Sequence, residues 1–381
     1  MQQAFIIISI FLFSLYGLLL IYYRLAWHGI PNYKLQTAKP KLQTKITVII
    51  PARNEEANIP ACLRSLQEQT YPTALFEILV VDDHSTDRTA DLVKGFPAGN
   101  IRLISLQDFT CNLELNSYKK KAIEIAIGES TGELIVTTDA DCLFMQNWLE
   151  TISAFYQEKH PAFIVMPVRY RTGNHAGGIF QALDFMTLQG ITGAAVNKKM
   201  HSMCNGANLA YTRNAFTEAG GFANIDRIAS GDDMLLMHKI YKLYPEGIQF
   251  LKSADVIVET YPMKSLKDFF NQRIRWASKA DKYDDKRIFR VLLLVYLLNC
   301  WCLVLGIAAC FSCSTLYWFI VSLAFKTSIE LFFLYPVAGF FHQRSLLWWF
   351  PLAEPFHIVY TIIAGWLGKF GSYQWKGRKV S

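Results

Sequence analysis

The sequence predicts an α/β domain on a mostly parallel sheet, set between an N-terminal transmembrane anchor and C-terminal transmembrane helices. Three observations carry this. Hydrophobic residues make up 52% of the 381, aromatics 14%, and mean hydropathy is +0.19, more than a water-soluble enzyme needs, and the excess lies at the two ends. From residue 40 to residue 288 short β-rich runs alternate with helical runs, the pattern of βαβ units. Acidic residues recur just past the predicted strands, where an open α/β sheet binds ligands.

Residues 1–30 hold the first apolar element. Ala4 to Tyr23 carries no charge and is long enough at about 1.5 Å per residue to cross a hydrocarbon core of about 30 Å. Met1-Gln2-Gln3 offers no basic leader and Arg24 follows without a small-residue cleavage pattern, so a retained anchor is expected over a cleaved signal. Residues 289–381 hold two or three spans and a basic tail. The candidates are Val291–Phe311, Leu316–Phe341 and Leu346–Leu367, with Lys326, Glu330, Glu354 and His357 inside them. Ionisable groups at that depth are costly and should face protein, water or one another; Lys326 and Glu330, four apart, share a helix face and could pair.

Lys279, Lys282, Lys286, Arg287 and Arg290 precede the first of these spans, which predicts a cytosolic body, in a bacterial-type inner membrane. A single anchor with three C-terminal spans would leave Lys376-Gly-Arg378-Lys379 outside, so one C-terminal segment is expected to lie in the interface. The net charge of +7 arises from such flanks; no basic patch with interleaved aromatics marks the body, and nucleic acid is not an expected partner. Cys62, Cys111, Cys142 and Cys204 are scattered, and Cys310 and Cys313 lack the second pair a zinc site needs, so all read as packing.

Within the body, Ile46–Ile50 reads as a strand ending at Pro51, and Ile59, Leu63 and Leu66 as a helix stopped by Tyr71-Pro72. Phe76–Val81 is the next strand, Arg88–Val93 a helix that Ser85 or Asp87 could cap, and Ile101–Ser105 a strand. Lys119–Ile127 reads as a helix and Glu133–Thr138 as a strand. Asp82 and Asp83 follow one strand; Asp139 and Asp141 follow another. In an extended segment the carboxylates at 139 and 141 share a face, which suits a hard cation such as Mg²⁺ or Mn²⁺ that keeps open positions for phosphate oxygens. Asp232 and Asp233 precede a helix start at Met234, so one carboxylate is expected to cap it and the other to point into the cleft. Gln272, Arg275 and Trp276 share one helix face, where Arg275 can grip phosphate oxygens and Trp276 can offer a flat wall; an interface helix with headgroup Trp and snorkelling Arg explains the same residues.

The ordered set Pro51-Ala-Arg-Asn-Glu55, Asp82-Asp83, Asp139-Ala-Asp141, Gly231-Asp-Asp233 and Gln272-Arg-Ile-Arg275-Trp276 resembles the membrane-bound family 2 glycosyltransferases, with their DxD and QxxRW motifs. The resemblance covers about residues 45 to 280 by motif. It implies a GT-A-like nucleotide-diphospho-sugar transferase domain. It further implies a nucleotide pocket from Pro51, Arg53, Glu55, Asp82, Asp83 and Asp139, and a metal held by Asp139 and Asp141. By the same resemblance Asp233 is the general base, with Gln272, Arg275 and Trp276 also catalytic and Asn205, Gly206 and Asp232 on the acceptor side. His84 stands where the family usually has Gly, a departure that matters if the turn there has a positive φ. Lys119, Lys120 and Lys121 stand where relatives have Gly-Lys and read first as a solvated basic turn.

The expected reaction is metal-dependent and inverting: transfer of a sugar from a UDP-sugar to a hydroxyl of a lipid or growing glycan. A processive polysaccharide synthase, an inactive membrane scaffold and a nucleotidyltransferase on a similar fold are the competing readings. The donated sugar, the acceptor and the oligomeric state are not encoded in any motif.

Overall fold

The computed structural model of the chain describes residues 2–35, 42–110, 116–173, 175–200, 203–226, 228, 231–278, 285–370, 373–375 and 378–380. Cys111, Ser230, Lys279, Lys282, Lys376 and Gly377 lie outside the described residues. In chain order the elements begin with α1 (Gln2–His28), β1 (Ile46–Ala52), α2 (Ile59–Gln67), β2 (Phe76–Asp82), α3 (Thr89–Lys94) and β3 (Ile101–Ser105). Next come α4 (Gln107–Thr110), α5 (Tyr118–Glu129), β4 (Leu134–Thr137), α6 (Trp148–Lys159), β5 (Phe163–Val165) and β6 (Val168–Tyr170). They are followed by α7 (Ala176–Asn197), β7 (Leu209–Thr212), α8 (Arg213–Glu218), α9 (Met234–Leu243), β8 (Ile248–Phe250) and β9 (Val258–Thr260). The last are α10 (Leu266–Ala277), α11 (Lys286–Ala309), α12 (Cys313–Phe340), α13 (Phe350–Phe370) and the tail strands β10 (Tyr373–Trp375) and β11 (Arg378–Val380).

These fall into two units. A sheet unit takes Ile30–Arg171 and Ala195–Tyr261, and a helical unit takes Met1–Gly29, Thr172–Ala194 and Pro262–Ser381. Most of α7, from the middle of the chain, belongs with the terminal helices, which no sequence pattern signals.

In the sheet unit seven strands run in the order β3-β2-β1-β4-β7-β5-β8. The first four are mutually parallel, β7 is antiparallel to both β4 and β5, and β8 is parallel to β5, a mostly parallel mixed sheet. Strand β1 is buried on both faces, with Ile46, Val48, Ile49 and Ile50 almost fully enclosed, which is why it reads as a continuous apolar run. Its register sets the site. Ala52 lies opposite Asp82 on β2, and pairing with β4 stops at Ile49 opposite Thr137. Pro51, which has no N–H to give, therefore falls beyond the stretch that β4 pairs. The loops after β1, β2 and β4 emerge side by side, joined by Asp83 N–H donating to Ala52 O (2.8 Å) and Thr138 N–H to Ile49 O (3.1 Å).

In the helical unit Phe5–His28, Lys286–Ala309, Cys313–Phe340 and Arg344–Phe370 are long and apolar enough to cross a membrane. Arg24 does not end the first of them: α1 continues to His28, and the Arg24 guanidinium lies 3.8 Å from the centroid of the Phe332 ring on α12. The expected pairing within α12 is present, Lys326 Nζ standing 2.7 Å from Glu330 Oε1. Glu354 of α13 joins the same ammonium, and the Tyr16 hydroxyl of α1 donates to Glu330. These charges are nearly all enclosed and compensate one another, as burial in an apolar bundle requires.

Candidate active site

The loops after β1 and β2 clasp each other through short polar side chains. Asn54 N–H donates to Ser85 Oγ (3.0 Å), Thr86 N–H to Asn54 Oδ1 (2.8 Å) and Glu55 N–H to Thr89 Oγ1 (2.8 Å). Ser85 is thus not the helix cap; α3 starts at Thr89, whose N–H donates to Asp87 Oδ1 at 3.0 Å. Burial pushes the Asp87 carboxyl up, but hydrogen bonds from the Thr89 hydroxyl and N–H and from Glu56 N–H outweigh it and hold Asp87 below the usual carboxylate range. Glu55 accepts from Asn58 Nδ2 (2.8 Å), while Glu56 accepts from the backbone of Arg88 (3.1 Å).

Arg53 Nη1 donates to Asp83 O at 2.9 Å and lies 3.8 Å from its carboxylate. Asp83 is buried, with His84 Nδ1 at 3.0 Å. His84 has φ +54°, so the turn does adopt the left-handed conformation for which glycine is the easy choice. Beside it, Asp82 Oδ1 is buried without a hydrogen-bond partner among the described residues.

Asp139, Ala140, Asp141 and Cys142 form a turn, with Cys142 N–H donating to Asp139 O at 3.3 Å. The extended geometry expected to converge the two carboxylates is therefore absent, and they have different partners. Asp139 Oδ1 accepts from Lys119 Nζ (2.8 Å), whereas Asp141 Oδ2 accepts from the Thr260 hydroxyl at the end of β9 (3.0 Å). Among the described residues no group of three or more His, Cys, Asp or Glu could hold a metal ion. Cys62 and Cys142, buried nearby, are inert: burial first, then Asp141, pushes both thiols up.

Lys119 is the residue sequence reasoning missed. It is no solvated turn: its ammonium also reaches Asp232 Oδ2 at 3.2 Å. Burial alone would push its pKa down, but Asp139, Asp232 and Asp233 outweigh it and raise it above the ordinary lysine value. Lys120 is buried and donates to Ile225 O and Ile228 O, both at 2.6 Å, and Lys121 pairs with Glu124 at 2.9 Å. Three lysines opening one helix was the available signal, and their separate fates follow from the three directions they leave α5.

Of the acidic pair, one carboxylate caps the following helix and the other turns away, as expected. Asp233, the expected base, is itself the cap: Met234 N–H donates to Oδ1 (2.7 Å) and Gly206 N–H to Oδ2 (3.2 Å). Asp232 is the carboxylate turned to Lys119. Gly206 brings these groups together, since a Cβ there would lie 3.2 Å from both Asp232 Oδ2 and Lys119 Nζ. Asn205 Oδ1 shapes the same turn by accepting from Ala207 N–H (3.0 Å), whereas Asn208 is a core residue bonded to Trp148, Pro167 and Val256. The sheet unit thus gathers Asp139, Asp232, Asp233, Lys119 and Gly206.

Gln272, Arg275 and Trp276 lie on α10 in the helical unit, all half-buried, with Gln272 Oε1 accepting from Arg273 (2.8 Å). The Trp276 face expected to be open carries the Arg273 guanidinium at 4.3 Å.

Residues 47–220 match Glycosyl transferase family 2, and residues 134–367 match Glycosyl transferase family group 2, the latter over more than half of the chain. The chain belongs to the family 2 glycosyltransferases. Glycosyltransferase AglE of Haloferax volcanii is 36% identical over 106 residues, covering 28% of this chain and 33% of that protein. The probable glycosyltransferase YdaM of Bacillus subtilis is 28% identical over 246 residues, covering 61% and 54%. The chain therefore spans only a third to about half the length of these two relatives. Among solved structures, the mannosyltransferase PcManGT from Pyrobaculum calidifontis, in complex with GDP-Man and Mn²⁺, aligns with a TM-score of 0.62 over 94% of this chain and 99% of that one, at 21% identity. That likeness establishes for this family 2 glycosyltransferase a shared GT-A-like fold.

Proposed function

We propose that the chain transfers a hexosyl group from a UDP-sugar to a hydroxyl of a lipid or glycan, with inversion, and uses Mg²⁺ or Mn²⁺. The observation that carries this is Lys119 bridging Asp139, just past the carboxyl end of β4, and Asp232, beside Asp233. Asp139 and Asp141 are the carboxylates that would hold such an ion; each has a protein partner, Lys119 and Thr260, so the pair would supply only part of its ligands and the diphosphate the rest. When bound, that ion would neutralise charge developing on the leaving diphosphate.

The residues of the chain divide the remaining work. Pro51, Arg53, Glu55, Asp82 and Asp83 form the nucleoside pocket, and the unpartnered Asp82 Oδ1 offers an acceptor to a base or ribose donor. Asp233, fixed by two backbone N–H groups, takes the acceptor proton on a remaining lone pair as the oxygen attacks the anomeric carbon. The bond to UDP breaks with its electron pair on the diphosphate, so a single displacement inverts the centre. Asn205, Gly206 and Asp232 line the acceptor side. On α10 of the helical unit, Gln272, Arg275 and Trp276 are further catalytic candidates, Arg275 for its ability to grip phosphate oxygens.

The four membrane-length helices support a multi-pass protein. Lys286, Arg287 and Arg290 at the start of α11 favour a cytosolic body, with residues 1–30 as anchor, 40–288 as the body and 289–381 as the membrane region. Trp348 and Trp349, both exposed ahead of α13, support an interfacial entry for the last segment. The test is UDP release by the purified chain from several UDP-sugars and from GDP-mannose, with and without Mn²⁺. A UDP-sugar turned over only with metal is the expected result; release from GDP-mannose alone, or of pyrophosphate, overturns it.

A further inference from the structure

Arg273 lies inside the Gln272-Arg-Ile-Arg275-Trp276 motif at one of its variable positions, yet its side chain is only 4% exposed, as is that of Asp184. Its Nη2 donates to Asp184 Oδ2 of α7 at 2.6 Å. Asp184 is itself held from α13, where the Tyr360 hydroxyl donates to Oδ1 and His357 Nε2 lies 3.8 Å away. The other edge of the guanidinium donates Nη1 to Gln272 Oε1 at 2.8 Å, and its plane lies 4.3 Å from the Trp276 centroid and 4.8 Å from that of Phe269. One planar group therefore meets a carboxylate, an amide and two rings at once.

We propose that Asp184 and Arg273 are positioning residues for transfer: Asp184 orients the Arg273 guanidinium, which fixes the Gln272 amide and the Trp276 ring. The inference rests on the reading above in which Gln272 and Trp276 serve the reaction. A pin that only held α10 to α7 would need charge compensation, which lysine supplies equally well. The observed contacts use what lysine lacks, a rigid fork of donors and a flat stacking surface. Asp184, with three partners drawn from two other helices, sets the rotation of that fork.

The test is a double-mutant cycle on the purified full chain, read with radiolabelled donor so that strongly reduced turnover is still measured. Arg273→Lys keeps the ion pair and is expected to lower kcat at least tenfold, with UDP-binding stoichiometry unchanged. In a Gln272→Ala/Trp276→Ala background the same change is expected to cost less than twofold, because the groups it positions are gone. Wild-type turnover of Arg273→Lys, or an equal loss in both backgrounds, overturns the proposal and leaves the role of Gln272 and Trp276 standing. Wild-type turnover of Gln272→Ala/Trp276→Ala overturns that underlying reading instead. Should Arg273→Lys fail to fold, Tyr360→Phe, which removes one hydroxyl from Asp184, is read in the same cycle. A threefold or greater loss confined to the native background supports the proposal, and equal losses in both refute it.

Discussion

Lys119 Nζ sits 2.8 Å from Asp139 Oδ1, tying the DxD turn to the helix that opens with three lysines. Without that ammonium Asp139, Asp232 and Asp233 would repel one another, and an incoming diphosphate would lose a cation. Lys119→Met is therefore expected to lower the melting temperature of the free protein and to raise donor KM at least tenfold. Lys119→Arg, which keeps the charge, recovers part of both. Calorimetry and initial rates over a donor titration check this.

Gly206 separates a packing effect from a chemical one. A Cβ at that position would crowd Asp232 Oδ2 and Lys119 Nζ, both at 3.2 Å and both at the ends of side chains that can give way. Gly206→Ala should cost about 1 kcal/mol of stability, the low end for overpacking, while lowering turnover at least tenfold because those two groups move. A matched pair of melting curves and rate measurements distinguishes the two.

His84 holds φ +54°, a conformation that costs an ordinary L-residue about 1–2 kcal/mol. His84→Gly should accordingly be more stable than His84→Ala by about 1 kcal/mol. Denaturation of the two variants side by side gives the answer, and the opposite order would mean that the turn does not keep this conformation.

Lys252, buried in the sheet unit, has its pKa pushed down to about 8 by loss of solvent, against an ordinary value of 10.5. Between those two pH values the unfolded chain binds more protons than the folded one, so stability should climb as pH rises through that window and stay flat below it. Lys252→Met should abolish the climb. Thermal unfolding at pH 7.5 and at pH 9.5 tests both statements.

The fold was legible because its signals are local. β1, β2 and β4 were located to within two residues, since buried parallel strands read as apolar runs bounded by turns, and the edge strand Ile101–Ser105 to the residue. The Lys326–Glu330 pair was legible because four residues on one helix fix the geometry. What failed depended on tertiary placement. Spacing alone could not say that Asp139 and Asp141 occupy a turn with different partners, which of Asp232 and Asp233 would cap α9, or that Lys119 would cross to Asp232. It also could not assign α7 to the helical unit, because membership depends on which side chains meet, as when Asp184 meets Arg273. Sequence motifs marked the site; its wiring came from contacts between elements distant in the chain.

The central claim is that Asp233, held by Gly206 and the start of α9, accepts the proton of the attacking hydroxyl. The direct measurement is transfer rate against UDP affinity for Asp233→Asn, which keeps the shape and the cap but not the basicity. Because an amide has one acceptor oxygen, the variant keeps the bond from Met234 N–H and loses that from Gly206 N–H. The account predicts a Kd for UDP within threefold of wild type and a turnover lower by about 10² to 10⁴. Wild-type turnover in that variant would contradict it.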